Sequence, residues 1–390
     1  MILKNKKILI GVSGSIAAYK SCELIRTLQK KGCTVRVCMT PSATEFIGKL
    51  TFKSLTGFDV FTDWKDGNTG LEHISWARWA DGLIIAPATA NTISKIALGI
   101  ADNFLTSVVL AYDKKILFAP AMNTKMYLSP QIQNNIDKLK EYGHQFIEPE
   151  KGELACGEEG EGKLADIEDI TTAIMRLVFP QILKGKNILI TAGGTREHFD
   201  PIRYISNSSS GQMGYALARI SYALGGNVTL ISAPTCLRPI YGIKTINVTS
   251  AKDMYKEVMK HLNNTDIIIM NAAVADYRPD QFSKKKLKKT QDKNIITLVP
   301  NPDILSQIGK IKKNNQIIIG FAAESDNIIE NAINKLKRKN LDYIIANSLE
   351  FFNKNIHKGW IIDKNGELIE IPALDKESSA LFILEKIFKR

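Results

Sequence analysis

Short apolar runs alternate with helical stretches along the first 180 residues. Five runs have the length and composition of strands buried on both faces, namely residues 7–12, 34–39, 82–86, 115–119 and 145–147. Between the first two runs, residues 16–30 carry apolar side chains on one helical face. Strands that alternate with helices favour a parallel sheet covered on both sides. The pattern predicts a doubly wound α/β domain over residues 1–180.

The same pattern restarts after a Pro/Gly-containing break at 179–186. Further strands are predicted at residues 187–191, 227–231, 266–271, 316–321 and 341–346. A hairpin is predicted where residues 360–363 and 367–371 flank Asn365-Gly366, a strong signal for a two-residue turn. We therefore predict a second doubly wound, mostly parallel α/β domain of nucleotide-binding type over residues 181–390.

Composition excludes several other classes of protein. Apolar residues make up 44% of the 390 residues and charged residues 24%, so neither a disordered nor a fibrous chain fits. No apolar run approaches the roughly 18–20 residues of a membrane span, and the N-terminus lacks a signal peptide. The five cysteines include no C-x-x-C pair, which argues against a disulfide framework or a zinc site. We expect a cytoplasmic protein with no membrane contact.

The net charge of +12 leaves two interpretations open. It is typical of proteins that bind an anionic partner, and it also results from a Lys/Asn/Ile-rich composition alone. The location of the lysines therefore carries more information than their number.

The first predicted strand ends in Ser13-Gly14-Ser15, a turn whose backbone N–H groups suit a phosphate at the start of a helix. That signal is weak alone. Dinucleotide-binding domains usually place a carboxylate at the end of the second strand to hold the ribose. Here that strand runs into residues 38–42, CMTPS, which offer hydroxyls and no carboxylate. This favours the phosphate monoester of FMN over NAD.

Further motifs, taken together, support a resemblance to a known family. They are GVSGSIAAYK at 11–20, EHISWARWAD at 72–81, APATANT at 86–92, APAMNTKMY at 119–127 and GELACGEEGEGK at 152–163. This set resembles the flavin-dependent cysteine decarboxylases. With the second-half motifs below, nearly the whole chain resembles the bifunctional phosphopantothenoylcysteine decarboxylase/phosphopantothenate–cysteine ligases of coenzyme A biosynthesis. The resemblance implies a flavodoxin-like FMN domain followed by a Rossmann-like nucleotide domain.

The resemblance gives roles to three residues of the first half. His73 corresponds to the histidine that assists the oxidative step, and Asn123 to the residue that binds the substrate carboxylate. Cys156 corresponds to the cysteine that donates a proton during reduction of the enethiolate. Cys156 also lies among four glycines in an acidic segment, a pattern typical of a mobile lid. Candidate FMN contacts are Gly14, Ser15, Thr40, Ser42, Thr89, Asn91, Thr106 and Ser107.

Amide synthesis from a carboxylate needs an activated acyl group, and hence a site for a triphosphate and a metal. Gly193-Gly194 closes the first strand of the second half. Arg203 and Asn207 lie in DPIRYISNSSSGQMG, a polar loop before a helix. A cationic run follows at Lys284, Lys285, Lys286, Lys288 and Lys289. By itself, such a run is typical of a solvated loop. A nucleic-acid site is disfavoured, because Phe282 is the one aromatic residue nearby in the sequence.

By resemblance, CTP activates 4′-phosphopantothenate as an acyl-cytidylate, and cysteine then displaces CMP. Asn207 and Arg203 correspond to residues that handle the acyl-cytidylate, and Lys286 to the lysine of a closing loop. The candidate nucleotide contacts are Gly193, Gly194, Ala272, Ala273, Asp276, Lys286, Asn301, Pro302, Asp303, Ile304, Phe321, Lys335 and Lys339. Mg²⁺ is expected with CTP, and Asp276 is a candidate ligand. Gln212 stands where relatives often have Lys, which predicts weaker phosphate binding.

The expected partners are small molecules: 4′-phosphopantothenate, cysteine, CTP and phosphopantothenoylcysteine. The resemblance also implies a homo-oligomer, with trimers of the FMN domain and dimers of the ligase domain. Three alternatives stay open at this stage: an NAD(P)-dependent two-domain oxidoreductase, a catalytically degenerate regulatory relative, and a basic nucleic-acid-binding protein.

Overall fold

The computed structural model describes residues 1–67, 69–153, 157, 159–288, 295–348, 350 and 354–389. The chain divides into two compact units, Met1–Phe179 and Pro180–Arg390. We expected residue 180 to close the first domain. It belongs to the second because the segment after it is bound there: the Gln181 side chain donates to Ala223 O (3.2 Å) and Leu183 N donates to Leu224 O (2.9 Å).

A parallel sheet of five strands forms the first unit. These strands are β1 (Lys7–Val12), β2 (Thr34–Met39), β3 (Gly82–Ala88), β4 (Ile116–Pro120) and β5 (Gln145–Phe146). Their order is β2-β1-β3-β4-β5, the flavodoxin-like order. Strands β1, β3 and β4 are buried almost throughout, as expected for a sheet covered on both faces. A separate antiparallel pair follows, β6 (Glu150–Glu153) and β7 (Glu159–Lys163).

Eight helices accompany these strands in the described part of the first unit. They are α1 (Lys20–Lys30), α2 (Lys49–Thr56), α3 (Glu72–Trp79), α4 (Ala90–Ala97), α5 (Phe104–Ala111), α6 (Thr124–Tyr127), α7 (Pro130–Glu141) and α8 (Ile167–Val178). The helix predicted over 16–30 starts with one 3₁₀ turn at Ile16–Tyr19 before α1. Its apolar face buries Leu24, Ile25 and Leu28, as the periodicity predicts.

An eight-stranded sheet forms the second unit. Its members are β8 (Asn187–Ala192), β11 (Asn227–Ser232), β12 (Lys244–Asn247), β13 (Ile267–Met270), β16 (Ile317–Glu324), β17 (Tyr343–Ser348), β18 (Ile356–Asp363) and β19 (Leu368–Asp375). The order β12-β11-β8-β13-β16-β17 is parallel and Rossmann-like, and β18 and β19 add antiparallel strands at one edge. Two short antiparallel pairs lie outside it: β9 (Arg196–His198) with β10 (Tyr204–Ser206), and β14 (Tyr277–Pro279) with β15 (Leu298–Pro300).

Five helices accompany the described part of this unit: α9 (Gln212–Ala223), α10 (Ala251–His261), α11 (Ile304–Ile311), α12 (Ile328–Arg338) and α13 (Lys376–Phe388). The predicted hairpin is present as β18 and β19, but its turn is longer than two residues. Gly366 N donates to Asp363 O, and Asp363 N donates to Glu367 O, which closes the loop. Gly366 has a left-handed φ of 88°. This is a three-residue loop ending in a left-handed glycine.

The α/β class with mostly parallel sheets is therefore confirmed in both units. Within the described residues, no helix is long and apolar enough to cross a membrane.

Candidate active sites

The loops that follow β1 and β3 are tied together where the strand order of the first sheet reverses. Ser13 Oγ donates to Pro87 O at 2.6 Å and accepts from Thr89 N at 2.9 Å. The sequence placed Ser13 in the phosphate-binding turn but not among the candidate FMN contacts, and the residue is fully buried. Because ligands of such sheets bind at this reversal, the loops mark a candidate site.

The candidate FMN residues Gly14, Thr40 and Ser42 lie together. A Cβ on Gly14 would come within 2.6 Å of Ser42 Oγ, so only glycine allows this approach. Thr40 Oγ1 and Ser42 Oγ are 3.1 Å apart and share a hydrogen bond. The group presents hydroxyls at the carboxyl ends of β1 and β2.

Ser15 and Thr89 begin helices at the same edge of the sheet. Ser15 Oγ accepts from Ala17 N (3.2 Å) at the 3₁₀ turn, and Thr89 Oγ1 accepts from Thr92 N (3.4 Å) at α4. Asn91 is exposed in the first turn of α4. These residues therefore lie at helix N-termini, which favour anions.

Thr106 and Ser107 are buried, and their hydroxyls already serve the start of α5. Both donate to Asn103 O, at 3.1 and 2.9 Å, while Asn103 Oδ1 accepts from Thr106 N. The Thr106 side chain completes a capping box with Asn103, and the Ser107 hydroxyl bonds back to the carbonyl four residues earlier.

His73 lies in α3, which packs against α5. Its Nδ1 is buried and has no hydrogen-bond partner among the residues that the structure describes. A buried polar atom without a partner is unfavourable unless it is completed by a ligand or serves chemistry. His73 therefore keeps its place as a candidate catalytic residue.

Asn123 caps α6, and its Oδ1 accepts from Lys125 N at 2.8 Å. The strand β7 lies against this segment. A Cβ on Gly162 would come within 2.0 Å of Met122 O, and one on Gly160 within 2.3 Å of Thr124 Oγ1. These two glycines therefore permit close backbone packing, whereas the sequence interpretation assigned them to the flexibility of a lid. Cys156 itself lies outside the described residues.

A cavity of about 570 Å³ in the second unit gathers most of the predicted nucleotide contacts. The predicted residues that line it are Asn207, Ala272, Ala273, Asp276, Asn301, Pro302, Asp303, Ile304, Phe321, Lys335 and Lys339. They come from segments that lie far apart in sequence and meet at the carboxyl ends of the parallel strands, where α/β sheets bind ligands.

Gly193 and Gly194 support the cavity wall from behind. A Cβ on Gly194 would come within 2.6 Å of Asn207 O, and one on Gly193 within 2.8 Å of Ala233 O. Gly193 O also accepts from Ala273 N at 2.8 Å. The Gly-Gly turn thus lets the loops that carry Asn207 and Ala273 approach each other.

The backbone of residues 273–276 is fixed by two asparagines. Asn207 Nδ2 donates to Val274 O at 3.0 Å, and Asn301 Nδ2 donates to Ala275 O at 2.9 Å. Asn301 N also donates to Asp276 O at 2.7 Å. The exposed Asp276 side chain is thereby held at the cavity.

Lys335 in the last turn of α12 and Lys339 just after that helix give the cavity a cationic side. Lys335 Nζ donates to Phe321 O (3.0 Å), and Lys339 Nζ pairs with the carboxylate of Asp303 (3.0 Å). Burial lowers the pKa of Lys335, and the charge of Lys339 adds to this. Burial would raise the pKa of Asp303, but hydrogen bonds from Ser306 N–H and the Lys339 ammonium lower it overall. Both lysines are therefore placed to meet an anion.

Arg203, a predicted site residue, is not among the residues that line this cavity. Its Nε and Nη2 donate to Asp200 Oδ2, at 2.9 and 2.5 Å, and Nη2 also donates to Leu287 O at 2.6 Å. Leu287 N donates to the same Asp200 oxygen at 3.2 Å, and Ser283 N donates to Phe199 O at 2.9 Å. Arg203 therefore anchors the lysine-rich segment, and the exposed Lys286 lies between the two anchoring points.

Among the cavity residues that the sequence analysis did not predict are Asn347, His357 and Lys376. They lie on β17, on β18 and at the start of α13, beyond the last recognised motif. Alternation along β18 was the available signal, since it places His357 on a buried face.

No group of three or more His, Cys, Asp or Glu side chains that could hold a metal ion occurs in the part of the chain that the structure describes.

Comparison with known proteins adds an independent finding for each unit. Residues 2–179 match the family model "Flavoprotein", and residues 183–390 match "DNA/pantothenate metabolism flavoprotein C-terminal domain". Together with the two folds, these matches define a two-domain flavoprotein of pantothenate metabolism.

Full-length relatives define the family further. The coenzyme A biosynthesis bifunctional protein CoaBC of Borreliella burgdorferi is 45% identical over 390 residues, covering 99% of this chain and 100% of the relative. The CoaBC of Bacillus subtilis is 42% identical over 396 residues, covering 99% and 97%. The crystal structure of the C-terminal domain of a CoaBC is 41% identical and covers 54% of this chain and 97% of that chain, with a TM-score of 0.47.

The chain belongs to the CoaBC family of bifunctional coenzyme A biosynthesis enzymes, with a decarboxylase and a ligase domain. This confirms the family assignment made from the motifs. The alternatives of an NAD(P)-dependent oxidoreductase, a degenerate regulatory relative and a nucleic-acid-binding protein lose their support.

Proposed function

We propose that the second unit joins 4′-phosphopantothenate to cysteine at the expense of CTP, and that the first unit, with FMN, decarboxylates the phosphopantothenoylcysteine formed. The observation that carries the ligase assignment is the single cavity around which most of the expected nucleotide contacts gather. The flavoprotein match and the hydroxyl-rich loops of the first unit carry the other assignment.

The loops of the first unit fit the phosphate of FMN. Gly14 leaves a cradle that a Cβ would fill, Thr40 and Ser42 supply hydroxyls, and Ser15 and Thr89 begin helices at the same edge. Hydroxyls, free N–H groups and helix N-termini are the donors that bind a phosphate monoester. Thr106, Ser107 and Asn91 are the remaining candidate contacts.

Decarboxylation of a cysteinyl carboxylate needs an electron acceptor, because direct loss of CO2 leaves an unstabilised carbanion. Bound FMN supplies reversible hydride transfer at the carbon that bears sulfur. His73 has a buried ring nitrogen free for proton transfer, and Asn123 orients the substrate carboxylate. Cys156 supplies the proton that completes the product thiol; this role rests on the sequence motif.

In the ligase unit, an oxygen of the 4′-phosphopantothenate carboxylate attacks the α-phosphorus of CTP. The α–β phosphoanhydride breaks and pyrophosphate leaves. Lys335 and Lys339 neutralise phosphate charge at the cavity wall. The cysteine amine then attacks the acyl carbon and loses a proton, and the acyl C–O bond breaks to release CMP.

Asn207 and the backbone of residues 273–276 form the wall against which the acyl-cytidylate is held. The amide of Asn207 binds two carbonyls of that wall, so it keeps the wall in place while the acyl group is transferred. Arg203 acts as a positioning residue for the loop of Lys286, since its guanidinium binds Leu287 O. Lys286 then closes on the phosphates.

Mg²⁺ fits this site as a companion of the nucleotide. Mg²⁺ is usually held by one or two carboxylates together with substrate phosphates. Asp276 and Asp303 are both exposed carboxylates at the cavity, and Asp303 is paired with Lys339, so Asp276 is our candidate ligand.

We also propose a homo-oligomer, with trimers of the flavoprotein unit and dimers of the ligase unit. Support for the dimer of the ligase unit comes from exposed apolar side chains near β9 and β10. Ile202 is 58% exposed there and Tyr204 is 41% exposed. The cytoplasmic location expected from the sequence stays a prediction.

Purified full-length protein incubated with 4′-phosphopantothenate, cysteine, CTP and Mg²⁺ tests both activities by mass spectrometry. We expect 4′-phosphopantetheine, CMP and pyrophosphate, together with a flavin absorption spectrum of the protein. Reactions with ATP in place of CTP, or without cysteine, are the controls. Absence of condensed product and CMP overturns the ligase assignment. Formation of phosphopantothenoylcysteine that is not decarboxylated overturns the decarboxylase assignment.

A further inference from the structure

One end of the ligase cavity is lined by His357 and Lys376, two basic side chains that the mechanism above does not use. Both lie on the antiparallel addition to the sheet: His357 is on β18, and Lys376 is the first residue of α13. They are close enough that the charge of Lys376 helps to lower the pKa of His357.

His357 lines this cavity and has one ring nitrogen without a partner among the described residues. The side chain is 2% exposed, and its Nδ1 lies 2.7 Å from Ser379 Oγ. Its Nε2 is buried without a partner in the ranges that the structure describes. Burial, with the charge of Lys376, lowers the pKa of His357 to about 4, so the ring is neutral at pH 7. When Ser379 donates to Nδ1, the ring proton is on Nε2, which is then a hydrogen-bond donor.

Lys376 is a half-buried cation without a carboxylate partner among the described residues. The neighbouring Asp375 is engaged by Ser378, whose N and Oγ donate to its carboxylate at 2.9 and 2.6 Å. Burial alone lowers the pKa of Lys376. A half-buried ammonium lacking a counter-charge is unfavourable unless a ligand supplies that charge.

Backbone donors lie at the same cavity. The 12-residue helix α9 begins at Gly211 without a side-chain cap, and Gly211, Gln212 and Met213 all line the cavity. The first N–H groups of such a helix are available to an anion. An acceptor with several oxygens suits this set of donors. They are the Lys376 ammonium, the neutral imidazole of His357 and the first backbone N–H groups of α9.

We propose that His357 and Lys376 form a subsite for a phosphoryl group of a ligand bound in the cavity. The inference rests on the proposed ligase function, because it assumes phosphorylated ligands there. Two sources share this chemistry: the distal phosphates of CTP and the phosphate monoester of 4′-phosphopantothenate. Lys335 and Lys339 then contact a different part of the ligands that the cavity binds.

The test compares Lys376→Gln with Lys386→Gln in the full-length protein by isothermal titration calorimetry. Lys386 is an exposed lysine on the same helix and gives the same change of charge. Loss of one charged hydrogen bond weakens binding by about tenfold or more. If the subsite holds the distal phosphates, K376Q weakens CTP and pyrophosphate but leaves CMP unchanged. If it holds the monoester, K376Q weakens 4′-phosphopantothenate alone.

The proposal is overturned if K376Q binds CTP, pyrophosphate and 4′-phosphopantothenate as the wild type does, or if K386Q weakens them equally. A wild type that binds neither CTP nor 4′-phosphopantothenate overturns the proposed function instead. Nitrogen-15 NMR of His357 in the wild-type protein needs no variant: pyrophosphate or 4′-phosphopantothenate should shift the Nε2 resonance. An unchanged resonance at saturation with both contradicts the subsite.

Discussion

The guanidinium of Arg203 joins a fully buried carboxylate, Asp200, to the main chain of the lysine-rich segment at Leu287. Asp200 also accepts from Ile202 N, Arg203 N and Leu287 N. Burial would raise the pKa of Asp200, but these hydrogen bonds hold it far below its usual range. The carboxylate therefore stays charged, and the segment that carries Lys286 is fixed through it.

Arg203→Gln should release this segment. The variant loses both hydrogen bonds to Asp200 and the bond to Leu287 O, so we expect faster backbone amide exchange over residues 283–288 and at least tenfold slower ligation. Hydrogen–deuterium exchange read by mass spectrometry measures the first effect. Arg203→Lys keeps the charge and should recover part of the protection. Unchanged exchange in R203Q would contradict the anchoring role.

Asn207→Asp should impair the ligase selectively. The substitution replaces the amide donor near Ala273 O and Val274 O by a carboxylate oxygen, which is repelled by both carbonyls. We expect a loss of ligase kcat/KM of about thirtyfold, from about 2 kcal/mol. Decarboxylation of added phosphopantothenoylcysteine by the same protein is the control. Loss of both activities would mean that the change acts on the whole fold.

As the pH rises, CTP binding should begin to weaken below the pH at which an ordinary lysine loses its charge. Burial and the nearby Lys339 lower the pKa of Lys335, so its positive charge is lost earlier as the pH rises. Lys335→Arg keeps a charge that does not titrate in this range and should flatten part of the profile. If the Lys376 subsite holds the distal phosphates of CTP, Lys376 accounts for the residual slope, because burial lowers its pKa too. Calorimetry at several pH values measures this, with Lys337→Arg on the same helix as the control.

The second unit should lose stability in acid through His357. The unfolded chain takes up a proton at about pH 6.5, whereas the folded protein resists it down to about pH 4. Between these values the unfolded state binds more protons, so stability falls as the pH falls, by at most about 3 kcal/mol. Urea unfolding of wild type and His357→Leu measures the effect. An equal loss of stability in both proteins between pH 6.5 and 4 would refute this assignment.

His73→Asn should stop decarboxylation and spare ligation. The substitution removes the buried ring nitrogen that we assign to proton transfer. In the coupled assay we expect phosphopantothenoylcysteine and CMP to accumulate, with 4′-phosphopantetheine reduced by at least about a hundredfold. His144→Asn, at the other half-buried histidine of this unit, is the matched control. Normal phosphopantetheine output from H73N excludes a catalytic role for His73.

The sequence predicted those features that depend on short stretches of chain. The strand β1 and the apolar face of α1 follow from local periodicity. The predicted cavity residues between Asn207 and Lys339 were found because they lie in or beside recognisable motifs. His357 and Lys376 belong to none, and only the pairing of β18 with its neighbours brings them to the cavity.

Side-chain direction was harder to predict than element type. The composition of the 103–107 segment does not reveal whether the hydroxyls of Thr106 and Ser107 face a ligand or their own helix, and the structure shows them bonded to Asn103 O. Likewise, glycine at 160 and 162 is compatible with mobility or with close packing. The distances to Thr124 and Met122 O decide for packing in the described residues.

Helix α13 completes the ligase unit. Helix α13 packs against α9, the first helix of that unit, and Arg219 pairs with Glu377 at 3.2 Å. It also carries Lys376 at its first position. During synthesis, the flavoprotein unit can therefore fold while the ribosome is still translating the second half. The ligase cavity is complete only after α13 has left the exit tunnel, so deletion of this helix should remove ligation before it affects decarboxylation.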